Sequence, residues 1–501
     1  MKKLTIIIAL LLLLAFIPFS FQPEGIRVGS KKFTESVILG ECLKQLAEDA
    51  NQPAIHYREL GGTKLVFESL VNGELDAYVE YTGTIREEIL GGEEAKTLEE
   101  MRELLQRRGI HMSEPLGFNN TYALALKRSR AEELGVKTVS DLTRHPDLVY
   151  GFGNEFMARQ DGWPGLQAAY GLTPSKVSGL DHDLAYRQID LGTIDVTDAY
   201  STDAKIKVHD LVLLEDDRNY FPRYDAVVLY RADLAKRHPE VVQSIERLQS
   251  SIDEPTMTAS NARTEVERVT ESQVAADLVF DLFGVKANVE KSTLAGRLFR
   301  RTLEHLDLVR KSLIPAILLA IPLGIVAVKF PQFGSAVLGV VGIIQTIPSL
   351  ALLVMLMPLM AFLGMASIGT GSATAITALL LYSLLPIVRN THTGLKSISP
   401  QHQQAALALG LPAGYRLLNI ELPLASRSIL GGIKTAAVMN VGFATLGALI
   451  GAGGFGQPII TGIRLNDTGL ILEGAIPAAL MAVVVQFGFD AIEKLNSPPE
   501  K

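Results

Sequence analysis

Long apolar runs dominate the C-terminal part of the chain and predict helices that cross a membrane. Five nearly uncharged segments approach the length that the hydrocarbon core of a bilayer requires. The second segment is unusually long, and Pro348 and Pro358 are expected to kink it. The predicted spans are Ser312–Val328, Ser335–Leu363, Ala373–Val388, Thr435–Ile450 and Leu470–Phe489.

The N-terminus carries a shorter apolar run. Met1, Lys2 and Lys3 precede the run Leu4–Ser20, a basic start followed by an apolar core. This pattern is typical of a signal peptide or an uncleaved N-terminal membrane anchor, which we assign to residues 1–25. The sequence leaves cleavage open, but either interpretation predicts that the residues after it are exported.

The polar part between these regions contains an internal repeat. The stretch GELDAYVEYTGT (73–84) recurs as GTIDVTDAYSTD (192–203) at a constant offset of 119 residues. Each copy follows a helical pattern, and its glycine stands where a helix would end. A short strand follows, and Tyr81 or Tyr200 lies at or just past the carboxyl end of that strand. In open α/β sheets this edge is where ligands bind.

The repeat predicts two similar α/β lobes, each offering a tyrosine to a shared cleft. The alternative is a chance likeness between two core tyrosines. We expect one lobe to hold residues 26–122 plus 225–283 and the other to hold 123–224. Tyr122 and Tyr224 then fall near the two crossovers between the lobes. Residues 284–311 are interpreted as a linker, and 312–501 as the membrane domain.

Composition and charge separate the two parts of the chain. The net charge of −7 divides into −10 for residues 1–311 and +3 for residues 312–501. The acidic exported part argues against nucleic acid as a partner. Cys42 is the only cysteine, so no internal disulfide forms. The nine histidines follow no ligand spacing, and no metal or other cofactor is expected.

The loop between the third and fourth predicted spans fixes the expected orientation. Arg389, Lys396, Arg416 and Arg427 lie in or beside it, which predicts a cytoplasmic position. Three spans precede the loop, so the residues before Ser312 are expected outside. Arg and Lys residues ahead of the first span oppose this orientation, although long translocated domains weaken the rule. They are Arg297, Arg300, Arg301, Arg310 and Lys311.

The same loop has the spacing of a known motif. A Gln-Ala-Ala triplet, a glycine, and an Ile-x-Leu-Pro ending resemble the coupling motif of ABC-importer permeases, with Gln404 in place of the usual Glu. A Gly-Leu-Pro break predicts two short helices, which in such permeases contact the ATPase. The alternative is an ordinary cytoplasmic loop. The matching residues are Gln404, Ala405, Ala406, Gly410, Ile420, Leu422 and Pro423.

Two nucleotide-binding patterns do not apply. Gly451–Gly456 fits G-x-G-x-x-G, but it follows a predicted span and no βαβ unit surrounds it. The glycines favour close helix packing or a broken helix instead. No Gly-Lys dipeptide occurs, so the chain has no Walker A loop, and any ATPase is expected to be a separate subunit.

Further pieces of the exported part resemble the substrate-binding proteins of the osmoprotectant uptake family. Members of this family take up glycine betaine, choline, carnitine and related quaternary amines. The resemblance implies a bilobed periplasmic-binding-protein-like domain of type II, fused to an all-α permease domain of type I with five helices. The pieces are VGSKKFTES (28–36), LGGTKLVFESL (60–70), NNTYALAL (119–126), GNEFMARQDGW (153–163) and FPRYD (221–225).

This resemblance also implies the site residues. Four tyrosines form a box around the quaternary ammonium, which cannot donate an N–H hydrogen bond and is held by aromatic faces. A lysine, a threonine and an arginine meet the carboxylate of a betaine. The matching positions for the box are Tyr81, Tyr122, Tyr200 and Tyr224, and those for the carboxylate are Lys31, Thr84 and Arg159.

Two positions depart from many relatives. Lys64 stands where a small polar residue is common, and Ser36 where Gln is common. A cation near the cleft would favour a substrate with a carboxylate over choline. A side chain directed to solvent explains Lys64 equally well.

The sequence therefore predicts a multi-pass protein of the cytoplasmic (inner) membrane with its binding domain on the periplasmic or extracellular side. We expect an ABC importer subunit that captures and translocates a quaternary amine, pairs with a second copy of itself, and uses ATP through a partner ATPase. A ligand-sensing receptor or channel with a bilobed outer domain is the alternative. A third alternative is an enzyme acting on betaines, but the sequence offers no activated nucleophile, metal site or acid–base pair near the predicted cleft. The choice among quaternary amines stays open.

Overall fold

The computed structural model describes residues 25–91, 95–287, 289, 293–362, 372–465 and 467–496. Contacts divide the chain into two compact units whose boundary lies between Lys291 and Ser292. The predicted signal or anchor segment 1–25 lies outside the described residues except for Gly25.

The first unit contains ten strands in two sheets. The first sheet has the order β2-β1-β3-β10-β4, and the second has the order β7-β6-β8-β5-β9. The strands are β1 (Ile26–Gly29), β2 (Ala54–Tyr57), β3 (Ala77–Tyr81), β4 (Ile110–Met112), β5 (Tyr122–Lys127), β6 (Val149–Gly153), β7 (Lys176–Leu180), β8 (Val196–Tyr200), β9 (Leu211–Leu213) and β10 (Ala226–Arg231).

Helices cover both sheets, so the unit is a bilobed α/β fold of the predicted periplasmic-binding-protein type. A 3-10 helix spans Val139–Arg144, and a π-helix spans Ile85–Ile89. The α-helices are α1 (Thr34–Asp49), α2 (Thr63–Val71), α3 (Thr82–Thr84), α4 (Leu98–Arg107), α5 (Arg128–Leu134), α6 (Asn154–Ala158), α7 (Trp163–Tyr170), α8 (His182–Asp190), α9 (Lys205–Val208), α10 (Ala232–Arg237), α11 (Pro239–Glu246), α12 (Glu254–Glu265) and α13 (Glu271–Phe283).

The sequence repeat corresponds to a repeat of the fold. In each sheet the strand that ends in the repeated tyrosine, β3 or β8, lies between a parallel and an antiparallel neighbour. Gly73 and Gly192 end the preceding helices with φ of 77° and 67°, a left-handed conformation that glycine adopts without strain.

The aspartate of each copy anchors its strand to the neighbouring parallel strand. The Asp76 carboxylate accepts a hydrogen bond from the Arg27 backbone N–H at 2.9 Å, and the Asp195 carboxylate accepts one from Val149 N–H at 2.9 Å. The backbone N–H of each aspartate donates back to the same residue at 2.7 Å. The match between Asp76 and Asp195 therefore reflects one structural role used twice.

Two chain segments cross between the lobes side by side. Asn119 and Asp225 form an isolated antiparallel bridge. The Asn119 side chain accepts from Tyr224 N–H at 2.7 Å, and Asn120 N–H donates to the Tyr224 carbonyl at 3.0 Å. Because Tyr122 and Tyr224 adjoin this bridge, the crossovers fix both tyrosines close to the boundary between the sheets.

The second unit is helical. Its π-helix spans Leu417–Glu421, and a 3-10 helix spans Ala444–Ile450. The α-helices are α14 (Leu294–Lys329), α15 (Pro331–Thr346), α16 (Ser349–Phe362), α17 (Ser372–Lys396), α18 (Pro400–Ala408), α19 (Ala413–Arg416), α20 (Leu422–Phe443), α21 (Gly456–Arg464) and α22 (Thr468–Asn496).

Among the described residues, four helices are long and apolar enough to cross a membrane, or five if the bent pair α15–α16 counts as one span. The prediction of an all-α membrane domain is confirmed at this level. The pair bends by 100° between Thr346 and Ser349, which is sharper than the predicted kink. Helix α14 begins at Leu294, so most of the predicted linker is helix continuous with the first span.

The Gly451–Gly456 stretch forms a break between helices. Gly451, Gly453 and Gly454 have φ between 72° and 77°, and α21 starts directly after them. The Gly454 N–H donates to the Glu304 carboxylate at 3.1 Å. This stretch therefore forms a turn that contacts α14 and separates two helices, as a broken helix does. It is not a nucleotide-binding loop.

Replacing Asp76 with Asn tests the strand anchor. Asp76 is buried and also accepts two hydrogen bonds from the Arg27 guanidinium and one from Arg237. Losing its charge is expected to cost about 2 kcal/mol, which lowers the melting temperature by about 4–8 °C. Thermal unfolding of the full chain, followed by the emission of Trp163, the only tryptophan, measures the shift.

The matched control is Asp195→Asn. The Asp195 side chain is more exposed, and its guanidinium neighbour Arg130 lies at 3.4 Å, so its replacement is expected to lower the melting temperature less. Equal shifts for the two variants contradict the role of the buried ion pair.

Candidate functional site

Four tyrosines lie at the facing ends of the two sheets. Tyr81 is the last residue of β3, and Tyr200 is the last residue of β8. Tyr122 opens β5 and pairs in register with Tyr200, while Tyr224 lies just before β10. The structure thus brings together the four tyrosines that the resemblance selected.

A fifth ring completes this group, which we call the aromatic box: Phe33, Tyr81, Tyr122, Tyr200 and Tyr224. The Tyr122 ring lies 5.2 Å from Tyr200 and 5.5 Å from Tyr224, centroid to centroid, the latter nearly edge-on at 88°. Phe33 lies 6.0 Å from Tyr81 and 5.6 Å from Tyr200. Phe33 therefore connects the ring on the first sheet with the rings on the second.

Gly83 makes room for one wall of the box. A Cβ atom at Gly83 would lie 2.5 Å from two ring carbons of Tyr224. No side chain fits at this distance, so the Tyr-Thr-Gly-Thr stretch requires glycine for the Tyr224 ring to pack there. The neighbouring Thr82 hydroxyl accepts from Asp225 N–H at 3.0 Å, which holds the same crossover in place.

Lys31 lies beside the box as a buried cation with a carboxylate partner. Its ammonium donates to Glu80 at 2.5 Å and lies 5.2 Å from the centroid of the Tyr81 ring. Both Lys31 and Glu80 are buried. Lys31 is therefore not a solvated surface charge, in contrast to the exposed Lys32.

Arg159 forms a second buried pair on the other lobe, just after α6. Its Nε donates to Asp161 at 2.8 Å, and an Nη2 hydrogen bond completes the fork. The Arg159 guanidinium carbon lies 5.7 Å from the Tyr122 centroid, and the Tyr224 hydroxyl donates to Asp161 at 2.6 Å. Burial and the nearby Asp161 raise the pKa of Tyr224, so its hydroxyl stays a donor.

Thr84 is buried in α3, the helical turn that begins directly after Tyr81. The structure therefore places Lys31, Thr84 and the Tyr81 ring on the first lobe and Arg159 on the second. These three residues remain the predicted partners of a substrate carboxylate.

Glu35 is a buried carboxylate that the sequence analysis did not single out. Tyr81 Oη donates to it at 2.6 Å, and Thr202 Oγ1 donates at 2.6 Å. Asn120 and Asn261 donate through their amides at 2.9 and 3.0 Å. Burial raises the pKa of Glu35, and the four hydrogen bonds oppose that rise.

His182 lies against the Tyr200 ring of the aromatic box. Its ring centroid is 4.8 Å from that of Tyr200, and Nδ1 lies 3.1 Å from the Asp198 carboxylate. Although burial opposes protonation, Asp198 and Asp203 together raise the pKa of His182 to about 10. A positively charged ring against Tyr200 follows from this arrangement at neutral pH.

Sequence reasoning missed Phe33, Glu35 and Asp161. Phe33 and Glu35 lie within VGSKKFTES and Asp161 within GNEFMARQDGW, the same pieces that supplied Lys31 and Arg159. Their position beside named site residues was the available signal. Lys64 is exposed on α2, which favours the solvent interpretation of that residue.

The predicted coupling loop forms a separate candidate site in the second unit. Helix α18 ends before Gly410, whose φ is 66°, and α19 begins after Pro412, as the Gly-Leu-Pro break predicts. Ala406 is buried, and Gln404 and Ala405 are exposed. Ile420 lies in the π-helix Leu417–Glu421, and Leu422 and Pro423 open α20.

A cavity of about 280 Å³ adjoins the loop and is lined by Ala406, Leu407, Leu417 and Ile420 among others.

Large apolar side chains are exposed on this loop. Leu407, Leu409, Tyr415 and Leu418 are each more than half exposed, and Leu409 reaches 75 %. Large exposed apolar side chains that form a patch mark a site of interaction with a protein or a membrane.

No group of three or more potential metal ligands (His, Cys, Asp or Glu) occurs within the part of the chain that the structure describes.

Comparisons with known proteins match each unit to a family. Residues 24–279 match the substrate-binding domain of the ABC-type glycine betaine transport system. Residues 316–498 match the inner membrane component of binding-protein-dependent transport systems.

Three curated relatives illustrate the match. An ergothioneine transport permease/ergothioneine binding protein of Helicobacter pylori is 32% identical over 52% of this chain, and that match spans 48% of the relative's own length. A glycine-betaine-binding protein of Pseudomonas aeruginosa is 33% identical over 52% of this chain and 88% of its own length. An osmoprotectant import permease protein of Salmonella typhimurium is 39% identical over 41% of this chain and 94% of its own length.

The two lobes, the helical unit and these matches confirm the resemblance to the osmoprotectant uptake family. The chain belongs to the family of ABC-type glycine betaine transport systems, with the substrate-binding domain and the inner membrane permease domain joined in one polypeptide.

Proposed function

We propose that the chain captures a quaternary ammonium compound outside the membrane and translocates it, powered by a separate ABC ATPase. The observation that carries this proposal is the aromatic box, in which neighbouring rings from both lobes lie 5.2–6.0 Å apart, centroid to centroid, beside two buried cation–carboxylate pairs. Aromatic faces suit a cation that has no N–H donor.

The buried pairs Lys31–Glu80 and Arg159–Asp161 indicate how the second group of the substrate, a carboxylate, is bound. Glu80 and Asp161 orient Lys31 and Arg159 without using all their donors, because an ammonium has three N–H groups and a guanidinium has five. The remaining N–H groups and the Thr84 hydroxyl are proposed to meet a carboxylate. Relatives named for ergothioneine and for glycine betaine, both betaines, support a zwitterionic substrate.

The orientation of the binding domain is proposed to be extracytoplasmic. If the bent pair α15–α16 crosses once, three spans precede the coupling loop, as the charge pattern predicts. Four of the five opposing cations in the first half of α14 have carboxylate partners within the helical unit, and cations beside a long translocated domain have little influence on orientation. The pairs are Arg297–Glu473, Arg301–Glu304, Arg310–Asp307 and Lys311–Asp307, at 2.6–2.9 Å.

The partner of the coupling loop is proposed to be the ATPase, with two copies of this chain forming the pore. The exposed Leu409 and the break at Gly410 resemble a knob that enters a cleft of a partner, whereas an autonomous receptor or channel does not need one. This contrast favours the transporter over the alternative of a ligand-gated channel.

Removing one ring of the box tests substrate binding. Tyr200→Ala is expected to weaken the affinity for the preferred quaternary amine by about 2- to 30-fold, since each ring contributes roughly 0.5–2 kcal/mol. Tyr200→Phe keeps the ring and is expected to stay within about threefold of the natural chain. Calorimetric titration of the full chain in lipid nanodiscs with glycine betaine, carnitine, choline and ergothioneine measures these affinities.

Tyr415→Ala, which removes an exposed ring far along the chain in the coupling loop, is the matched control and is expected to leave these affinities unchanged. Binding of every compound weaker than about millimolar refutes the proposed substrate class, since that is the range of non-specific contacts. A preference for choline over the betaines refutes the proposed roles of Lys31 and Arg159.

Charging the coupling loop tests the partner. Leu409→Asp is expected to lower uptake of radiolabelled substrate at least tenfold in cells that contain the native ATPase, because an apolar contact becomes a buried charge. Substrate affinity of the purified chain is expected to remain unchanged. Gln401→Asp, an exposed site at the start of α18, the helix that Leu409 follows, is the control for added charge. Normal uptake by Leu409→Asp contradicts a role for this surface.

A further inference from the structure

Glu35 is buried in the first turn of α1, and its four hydrogen-bond donors come from four separate parts of the binding domain. Tyr81 ends a strand of the first sheet, and Asn261 lies on α12 of the same lobe. Asn120 belongs to a crossover segment. Thr202 follows β8 of the second sheet, so its hydrogen bond to Glu35 runs between the lobes.

Asn261 reinforces the contact between the lobes. The same amide that donates to Glu35 also donates to the Thr202 carbonyl at 3.1 Å. Thr202 is therefore held by both its hydroxyl and its backbone, at a point where it is 1 % exposed. Separation of the lobes would break both bonds and leave a buried carboxylate with fewer donors, which is unfavourable.

Glu35 also bonds to Tyr81, whose ring belongs to the aromatic box. The Tyr81 hydroxyl donates to Glu35 Oε1, the oxygen that also accepts from Asn120, while Thr202 and Asn261 bond to Oε2. A hydrogen bond from a phenol to a carboxylate makes the ring richer in electrons, which strengthens its attraction for a cation. Glu35 thus affects both the ring that faces the cation and the contact that closes the lobes.

We propose that Glu35 is the closure residue of this site: through one carboxylate it couples the cation-facing Tyr81 to Thr202 of the opposite lobe, so that binding and lobe closure reinforce each other. Glu35 acts through these two residues and is a positioning residue. The proposal rests on the proposed function for the identity of the ligand, although the contact between the lobes stands independently of it.

The first test measures closure without ligand. Glu68 and Lys176 are exposed on different lobes, and Cys42 is fully buried. Spin labels on E68C and K176C in the full chain, in nanodiscs, report the distance between the lobes. Thr202→Val is expected to reduce the short-distance population at least threefold, because it removes a hydrogen bond to a charged group. Thr202→Ser keeps the hydroxyl and is expected to restore it.

The second test measures coupling to the ligand. Tyr81→Phe keeps the ring but removes the hydroxyl, so it and Thr202→Val are each expected to weaken binding of the quaternary amine by about tenfold. The double variant is expected to deviate from the product of the two effects by more than threefold. This deviation is expected to vanish in a Glu35→Gln background, in which the amide cannot accept from all four donors.

Independent effects of Tyr81→Phe and Thr202→Val, or unchanged lobe distances in Thr202→Val, overturn the proposal. If Thr202→Val does not fold, Thr202→Ala replaces it in both tests. A natural chain that binds no quaternary amine refutes the proposed function instead, and the distance measurement then still decides whether Glu35 holds the lobes together.

Discussion

The aromatic box depends on the pairing of the two segments that cross between the lobes. The bridge between Asn119 and Asp225, and the bonds from Asn119 and Asn120 to Tyr224, fix the end of one crossover against the start of the other. Tyr122 begins the second sheet directly after this bridge, and its register against Tyr200 follows from β5–β8 pairing. Rings that are distant in sequence therefore meet because two short backbone segments pair with each other.

The charges around the box are arranged so that burial is tolerated. Lys31 lies against Glu80 and Arg159 against Asp161, while Glu35 is surrounded by four donors. An unpaired charge at any of these buried positions would be strongly unfavourable. Lys31–Glu80 and Arg159–Asp161 each lie within one lobe, so each pair orients its cation there, which lowers the free energy lost to ordering on binding.

Much of the fold and part of the site follow from local sequence. A glycine after a helical pattern, a short strand and a tyrosine predict the repeated element, because each step depends on neighbouring residues. Phe33 contacts Tyr200 and Glu35 accepts from Thr202, 167 positions away in each case, and Asp161 accepts from Tyr224, 63 positions away; no periodicity encodes such contacts. The sharp turn between α15 and α16 and the early start of α14 were likewise outside what hydropathy indicates, since apolar content measures neither direction nor helix length.

The boundary between Lys291 and Ser292 joins two units that other family members carry as separate chains, as the individual binding protein and permease relatives illustrate. A covalent connection replaces a search through solution by a search within the reach of one polypeptide, at an effective concentration that is commonly millimolar for short connections. Under the proposed function, docking of the binding unit on the permease unit then needs little affinity of its own. Weak docking would release the emptied binding unit quickly, so fusion would exchange the amplification of many free receptors for rapid reuse of a single tethered one.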